Sequence, residues 1–299
     1  MPTKILITGG TGLIGMNLSK VLLTKGYEVI HLSRNPSSSQ FQQYHWNIED
    51  GSIEPKALDA DIIVHLAGEG LADSRWTKKK KRAIYNSRIL STRLLYESFK
   101  NSKRLKHFIS SSAIGYYGMD TGSKLVDEST GPGNDYVSNV VVDWEQEADN
   151  FNRNGIKTTK IRTGVVLDKH GGALPRLSMP IRWGVGSPLG TGDQYVSWIH
   201  ISDLIEIFIQ VIENEYEGIY NAVAPNPVTN RELTKKIAQL LKRPLFLPAV
   251  PGVFLKLVLG EMSAMILGGN NVKPKNLLKQ DFKFEYPQLT DALKSIYAG

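Results

Sequence analysis

Gly9, Gly12 and Gly15 punctuate the stretch Lys4-Ile5-Leu6-Ile7-Thr8-Gly9-Gly10-Thr11-Gly12-Leu13-Ile14-Gly15, a spacing suited to wrapping backbone around a pyrophosphate. Gly9 allows a tight turn, Gly12 a close approach of phosphate to the main chain, and Gly15 close packing of the following helix on a sheet. Ile5 to Ile7 read as the buried strand before the turn. Leu13, Ile14, Leu18, Val21 and Leu22 recur at helical spacing after it. A helix N-terminus with open N–H groups favours negative charge. Gly9, Thr11, Gly12, Leu13, Ile14 and Gly15 are therefore the residues expected to hold a dinucleotide. The plain alternative is a turn kept for steric reasons only, and the strand–turn–helix context weighs against it.

The end of the second strand decides which dinucleotide. An acid there binds the ribose 2′-hydroxyl of NAD, whereas a base accommodates the 2′-phosphate of NADP. This chain reads His31-Leu32-Ser33-Arg34-Asn35, with no acid. Ser33 and Arg34 offer a hydroxyl and a guanidinium suited to phosphate, so NADP(H) is expected over NAD(H). An Arg34 that merely extends into solvent is the competing reading.

Further along, His65-Leu66-Ala67-Gly68 ends a strand and Asn86 lies in the following helix. Ser110-Ser111-Ser112-Ala113-Ile114-Gly115-Tyr116-Tyr117-Gly118 and Arg162-Thr163-Gly164-Val165-Val166 follow two more strands, and Trp198-Ile199-His200-Ile201-Ser202-Asp203 opens a late helix. With the glycine turn, these residues resemble the extended short-chain dehydrogenase/reductase superfamily, in its sugar-nucleotide epimerase/dehydratase branch, over nearly the whole chain. Leu66-Ala67-Gly68-Glu69, the Gly115-Tyr116-Tyr117-Gly118 step and the tail from Pro248 through Leu267-Gly268-Gly269 and Pro274-Lys275 are similar to an atypical subgroup of epimerase-family proteins that shares this C-terminal segment. The resemblance implies that Leu66, Ala67 and Gly68 border the cofactor and that Thr163, Gly164 and Val165 approach its nicotinamide. It also implies that Asn86 steadies the active-site helix beside the cofactor and that Ser112 polarises the substrate oxygen.

The superfamily's acid/base is a Tyr-x-x-x-Lys pair. A phenol of pKa near 10 must come down by about three units, roughly 4 kcal/mol, under the charges of a lysine and an oxidised nicotinamide. By position the tyrosine is Tyr136, and the lysine position then holds Val140. Tyr116 and Tyr117 are alternative phenols, equally suited to packing against the cofactor. Tyr96 and Lys100 match the pattern on the wrong helix and read as an exposed helical pair. Arg162 and Trp198 are expected to line or support the cleft. His200 could act as a base near neutrality, but its place at a strand–helix junction, with Asp203 at the helix start, favours a structural hydrogen bond. Asp127 and Glu128 read as solvated carboxylates.

These residues need a scaffold, and the pattern supplies an α/β one: a Rossmann-like doubly wound parallel sheet with a smaller C-terminal substrate lobe. Strands are expected at 28–32, around 44–47, at 61–66, 106–110 and 158–162, and helices at about 78–101, 137–154, 202–213, 230–241 and 251–259. The glycines and prolines from Gly171 to Gly192 mark loops where the substrate lobe begins. The dinucleotide domain is placed at 1–168, with segments around 194–222 returning to it, and residues 169–299 form mostly the lobe and the C-terminal segment. The apolar stretch Val250 to Gly269 carries Lys256, Glu261 and several glycines, and reads as packed helix rather than a membrane span.

Composition narrows the function classes. The 299 residues contain no cysteine, which excludes disulfides, thiolate metal sites and a cysteine nucleophile, and no metal site is expected. The absence of a charged-then-apolar leader points to a cytoplasmic protein. The net charge of +7 and the run Lys78-Lys79-Lys80-Lys81-Arg82 invite a nucleic-acid reading, but no binding motif accompanies them and a basic surface equally suits an anionic cofactor or substrate. The expected partner is a small molecule, without nucleic acid or membrane, and a homodimer is an allowed assembly. Two functions stay open: an NADP-dependent epimerase or reductase acting on a small hydroxyl or carbonyl compound, nucleotide-linked or free, and a non-catalytic NADP(H)-binding regulatory or interaction module. Val140 motivates the second.

Overall fold

A computed structural model describes residues 2–298. In chain order its elements are β1 (Lys4–Thr8), α1 (Leu13–Thr24), β2 (Glu28–Ser33), β3 (Gln42–Asn47), β4 (Ser52–Ile53), β5 (Ile62–His65), α2 (Lys78–Phe99), β6 (His107–Ala113), β7 (Leu125–Val126), α3 (Tyr136–Arg153), β8 (Lys157–Thr163) and β9 (Val165–Leu167). Then follow α4 (Leu174–Arg182), β10 (Tyr195–Val196), β11 (Trp198–His200), α5 (Ile201–Glu213), β12 (Gly218–Ala222), β13 (Val228–Thr229), α6 (Asn230–Leu240), α7 (Gly252–Leu259), α8 (Ala264–Leu267), β14 (Asn271–Val272), α9 (Lys275–Lys279) and α10 (Leu289–Ala298).

The main sheet has the order β12-β8-β6-β5-β1-β2-β3-β4, parallel throughout except for the β3–β4 edge pair. Strand alternation explains why both faces are covered. Ile5, Ile7, Ile62, Val64 and Ile109 point into a core with α1 and α5, whereas Leu6, Ile63 and Phe108 point into one with α2 and α3. The chain departs from β1 in opposite directions toward β2 and β5, which makes the β1–β5 boundary the point where such sheets open a ligand crevice at their C-terminal edge.

The lobe has its own core, in which Leu174 and Ile181 of α4, Leu233 and Ile237 of α6, and Leu293 and Ile296 of α10 pack together. The expected helix over 251–259 forms as α7, but it is not packed in the sense expected of this stretch. Only Leu255 is buried, and Val253 and Leu257 stand 80% and 75% exposed, because the helix lies at the periphery and turns a single side inward. α10 was not foreseen, although Leu289, Ala292, Leu293 and Ile296 carry helical spacing and are all buried. Among the described residues no helix is long and apolar enough to cross a membrane.

Candidate functional site

The glycine turn is built as its spacing requires. Gly9 has φ of +69°, and a Cβ there would stand 2.9 Å from the carbonyl carbon of Leu66. A Cβ on Gly15 would lie 2.4 Å from Gly9 O, so only glycine lets α1 sit this close to the turn. At Gly12 an added Cβ would meet only Gly9 O, at 3.3 Å, and otherwise open space. No side chain caps α1, so the first-turn N–H groups of Leu13, Ile14 and Gly15 have no intrahelical partner.

A cavity of about 430 Å³ opens here, lined by Gly9, Thr11, Gly12, Leu66, Ala67 and Gly68 on one side and by Ser33 and Arg34 on the other. Leu32, Trp46 and Ile48 give it an apolar wall. Glu69 is the one acid among the lining residues, and Lys80 pairs with it at 2.6 Å. Among the described residues no carboxylate pairs with the exposed Arg34. Bare backbone donors, an uncapped helix and an unpaired guanidinium fit a dinucleotide phosphate.

Behind this cleft the strand ends are pinned by a buried chain of hydrogen bonds. Thr8 Oγ1 accepts from the amides of Leu66 and Ala67, both at 3.1 Å, so its proton goes to His65 Nδ1 at 2.7 Å. His65 then carries its proton on Nε2 and donates to Ser91 Oγ at 3.1 Å, while Ser91 donates to Ser87 O. Complete burial pushes the His65 pKa down to about 3 and keeps the ring neutral.

A second cavity, of about 410 Å³, lies beyond the C-terminal ends of β6 and β8. Ser112 lines it, as do Thr163, Gly164 and Val165. Among the described residues no charged side chain lines it. The rest of its wall comes from the loop after β6 (Ala113 to Gly115, Gly118 and Met119), from Val137, from the lobe, from Gln194 to Ser197, and from Met265, Ile266 and Gly268 to Asn270 of the C-terminal segment. Gly268 and Gly269 admit this closure sterically, since Cβ atoms would fall 2.4 Å from Met119 O and 2.1 Å from Tyr195 O.

Ser112 is buried, and its hydroxyl donates to Glu145 Oε1 at 2.6 Å. Glu145, on α3, accepts two bonds from Arg162, each 2.8 Å. Arg162 also donates to the Tyr117 hydroxyl at 3.1 Å, and its guanidinium lies 3.3 Å from the centre of the Tyr116 ring. Burial works to lower the Arg162 pKa, but the Glu145 carboxylate outweighs it and holds the guanidinium above its ordinary value. Tyr117 in turn donates to Asn221 Oδ1 at 2.9 Å.

Of the sequence-derived catalytic candidates, then, Ser112 lines the cavity and Tyr116 and Tyr136 do not. Tyr136 donates to Lys81 O at 2.8 Å and packs edge-on against Trp76. Burial raises its pKa, with Arg88 opposing, which is the wrong direction for a base. Val140 is buried among Val137, Val141 and Trp144. Asn86 lines neither cavity, and Ser87 borders the first in its place. Arg162 and Trp198 support the cleft from within and are not on its surface. His200 accepts from Ser202 N and so caps α5, and Asp203 accepts from the amides of Glu285 and Tyr286, so both are structural as expected. Lys100 pairs with Glu97. Lys80 and Lys81 of the basic run pair with Glu69 and Glu261. The sequence reading missed Gln194, Tyr195 and Asn270. Gln194 and Asn270 lie on short loop segments and Tyr195 opens the two-residue β10, none with a motif of its own, and only the tertiary fold brings them to the cavity.

The fold and the glycine turn define a Rossmann-like α/β protein of the extended short-chain dehydrogenase/reductase kind. The chain belongs to the NAD dependent epimerase/dehydratase family, whose pattern matches residues 5–222, and residues 250–296 match a domain of unknown function, DUF1731. It is 36% identical over 99% of its length to the epimerase family protein YfhF of Bacillus subtilis, covering 98% of that protein. It is 33% identical to the human epimerase family protein SDR39U1, covering 99% of this chain and 100% of that one. The crystal structure of human SDR39U1 (isoform 2) with NADPH superposes with a TM-score of 0.88 at 31% identity, over 99% of this chain and 100% of that one. A nucleoside-diphosphate sugar epimerase from Corynebacterium glutamicum gives 0.81 at 32% identity, over 99% of this chain and 58% of that one.

Proposed function

We propose that this chain binds NADP(H), in preference to NAD(H), along the glycine turn and exchanges hydride with a hydroxyl- or carbonyl-bearing carbon of a small molecule in the second cavity. In this reading residues 1–168, with the returning segments around 194–222, bind the dinucleotide, and the rest forms the lobe. Gly9, Thr11, Gly12 and the first turn of α1 hold the diphosphate. Ser33 and Arg34 take the 2′-phosphate, Leu66 to Gly68 border the cofactor, and Thr163 to Val165 face the nicotinamide. The human relative crystallised with NADPH supports the cofactor.

The observation that carries the reading is Ser112, which lines the cavity beside Thr163 to Val165 with its proton directed at Glu145. When bound, NADP(H) supplies or takes the hydride. The proton belongs to this chain's residues. Because Ser112 donates to Glu145, its lone pairs are what it offers to a substrate, and they accept an alcohol O–H. On oxidation the alcohol proton passes to Ser112 Oγ as the serine proton passes to Glu145 Oε1, and the C–O bond becomes a carbonyl; reduction reverses both transfers. Tyr116 keeps the Arg162 guanidinium flat against the carboxylate, and Tyr136 anchors α3 to α2. NADPH consumption over a panel of uncharged carbonyl compounds tests this. Ser112→Ala should lower turnover by about 10²–10⁴-fold, and full activity in that variant removes Ser112 from the chemistry.

The second reading, a non-catalytic NADP(H)-binding module, draws on Tyr136 and Val140, which leave the usual acid/base position without a free phenol or a lysine. Its signature is tight NADPH binding, no hydride loss to any panel member, and a captured partner whose yield changes with NADPH.

A further inference from the structure

The walls of the second cavity say what it can take. Leu177, Leu189, Val196, Leu233, Met265 and Ile266 make it largely apolar, and no lysine or arginine lines it among the described residues. The polar exceptions include Ser112, Ser197, Asn230 and two further amides, Gln194 and Asn270. Gln194 Nε2 donates to Leu189 O and Ile266 O, both at 2.9 Å. Asn270 Nδ2 donates to Gly118 O at 2.8 Å and Ile114 O at 3.3 Å. Each NH₂ group thus points at two carbonyls, which fixes the amide orientation, because a flip would set oxygen against oxygen. The two side-chain oxygens, Gln194 Oε1 and Asn270 Oδ1, are buried without a partner. Both oxygens are shut off from the cavity as well as from partners, so the acceptor available to a ligand is Ser112 Oγ, whose proton is already given to Glu145.

A diphosphate offers acceptors and negative charge to an apolar site that presents the lone pairs of Ser112 and no cation. Repulsion and uncompensated desolvation both oppose it. From this geometry we infer that the substrate cavity is built for an uncharged, mainly hydrocarbon or aromatic molecule carrying hydroxyl or N–H donors, and not for a nucleotide-linked sugar. The volume, about 410 Å³, is within the range of pockets that enclose small organic ligands, about 300–1,000 Å³. The inference deepens the hydride-exchange reading and rests on its assignment of the cavity to the substrate.

Titration calorimetry on the NADPH-saturated protein tests it, since the cofactor then occupies its own cleft and an alcohol cannot be oxidised. The probes are 1-naphthol and geraniol, their methyl ethers, and UDP-glucose. At least one of the two alcohols should bind, its ether should bind about three- to tenfold more weakly for want of a donor, and UDP-glucose should not bind. Ser112→Ala should weaken the alcohol toward the affinity of its ether and leave the ether unchanged, a comparison that reads the lost acceptor separately from any disturbance of the strand end. UDP-glucose binding, ethers that match their alcohols, or failure of both alcohols to bind overturns the inference. The readout is binding, so a bound alcohol without hydride exchange in any assay would defeat the proposed function and leave this inference standing.

Discussion

Ser112 donates its proton to Glu145 Oε1 across 2.6 Å, so the serine expected to polarise a substrate is already committed to a carboxylate on α3. That carboxylate is held by Arg162, whose side chain is only 1% exposed. Removing one partner of a buried ion pair leaves the other charged and uncompensated, at a cost of about 3–5 kcal/mol. Glu145→Gln should therefore lower the urea midpoint severely. Ser112→Ala removes one hydrogen bond to a charged group and should cost less, about 1.5–3 kcal/mol. A Glu145→Gln protein as stable as the parent would show that the pair does not hold β6, β8 and α3 together.

The glycines of the turn should separate folding from binding. Gly12 has ordinary extended backbone and an added side chain meets open cleft. Gly12→Val should fold normally and lose the stabilisation that ligand gives, which for the parent is about 2.7 kcal/mol at a hundredfold excess of NADPH over Kd. Gly15→Ala should instead destabilise the protein without ligand by about 1–3 kcal/mol, because its Cβ would press on Gly9 O. Thermal melts with and without NADPH distinguish the two, and equal NADPH-induced shifts in parent and Gly12→Val would remove the turn from the cofactor site.

His65 gives the fold an acid limit. Its pKa is about 3 in the folded protein and near 6.5 in an unfolded chain. Between those values the unfolded chain binds a proton that the native one does not, so stability falls as the pH drops from about 6.5 toward 3. At pH 5 this one group accounts for about 2 kcal/mol. His31 and His107, also lowered by burial, act in the same direction. Urea melts at pH 7 and pH 5 check it, with His65→Gln expected to flatten the dependence. An unchanged slope in that variant would place the acid sensitivity elsewhere.

What the sequence disclosed follows from how local each feature is. The turn from Gly9 to Gly15 is a local device, and strands such as Ile62–His65 are continuous apolar runs, so both are legible without a structure. Ser112 was legible by its place after a strand. The purpose of its hydroxyl was not, because Glu145 lies 33 residues away on another element. Gln194 and Asn270 were invisible for the same reason: each has a main-chain carbonyl partner remote in sequence, Ile266 of α8 and Gly118, a relation that residue type does not encode. α10 was readable and overlooked, whereas the exposure of Val253 and Leu257 on α7 depends on where the helix lies and not on its pattern.

Under the proposed preference for NADP(H), Arg34 should decide between the two dinucleotides. Arg34 borders the first cavity beside Ser33, and among the described residues it has no carboxylate to pair with. A free guanidinium at the end of β2 can take a 2′-phosphate as a bidentate partner, whereas NADH presents only a hydroxyl there. A hydrogen bond to a charged group contributes about 1.5–3 kcal/mol, so Arg34→Ala should weaken NADPH by about ten- to a hundredfold and leave NADH nearly unchanged. Added salt should weaken NADPH more than NADH in the parent and treat them alike in the variant, because an exposed phosphate–guanidinium contact is screened. Parallel fluorescence titrations with both cofactors give the ratio. If both affinities fall together, Arg34 supports the cleft generally and the preference for NADP(H) must come from elsewhere.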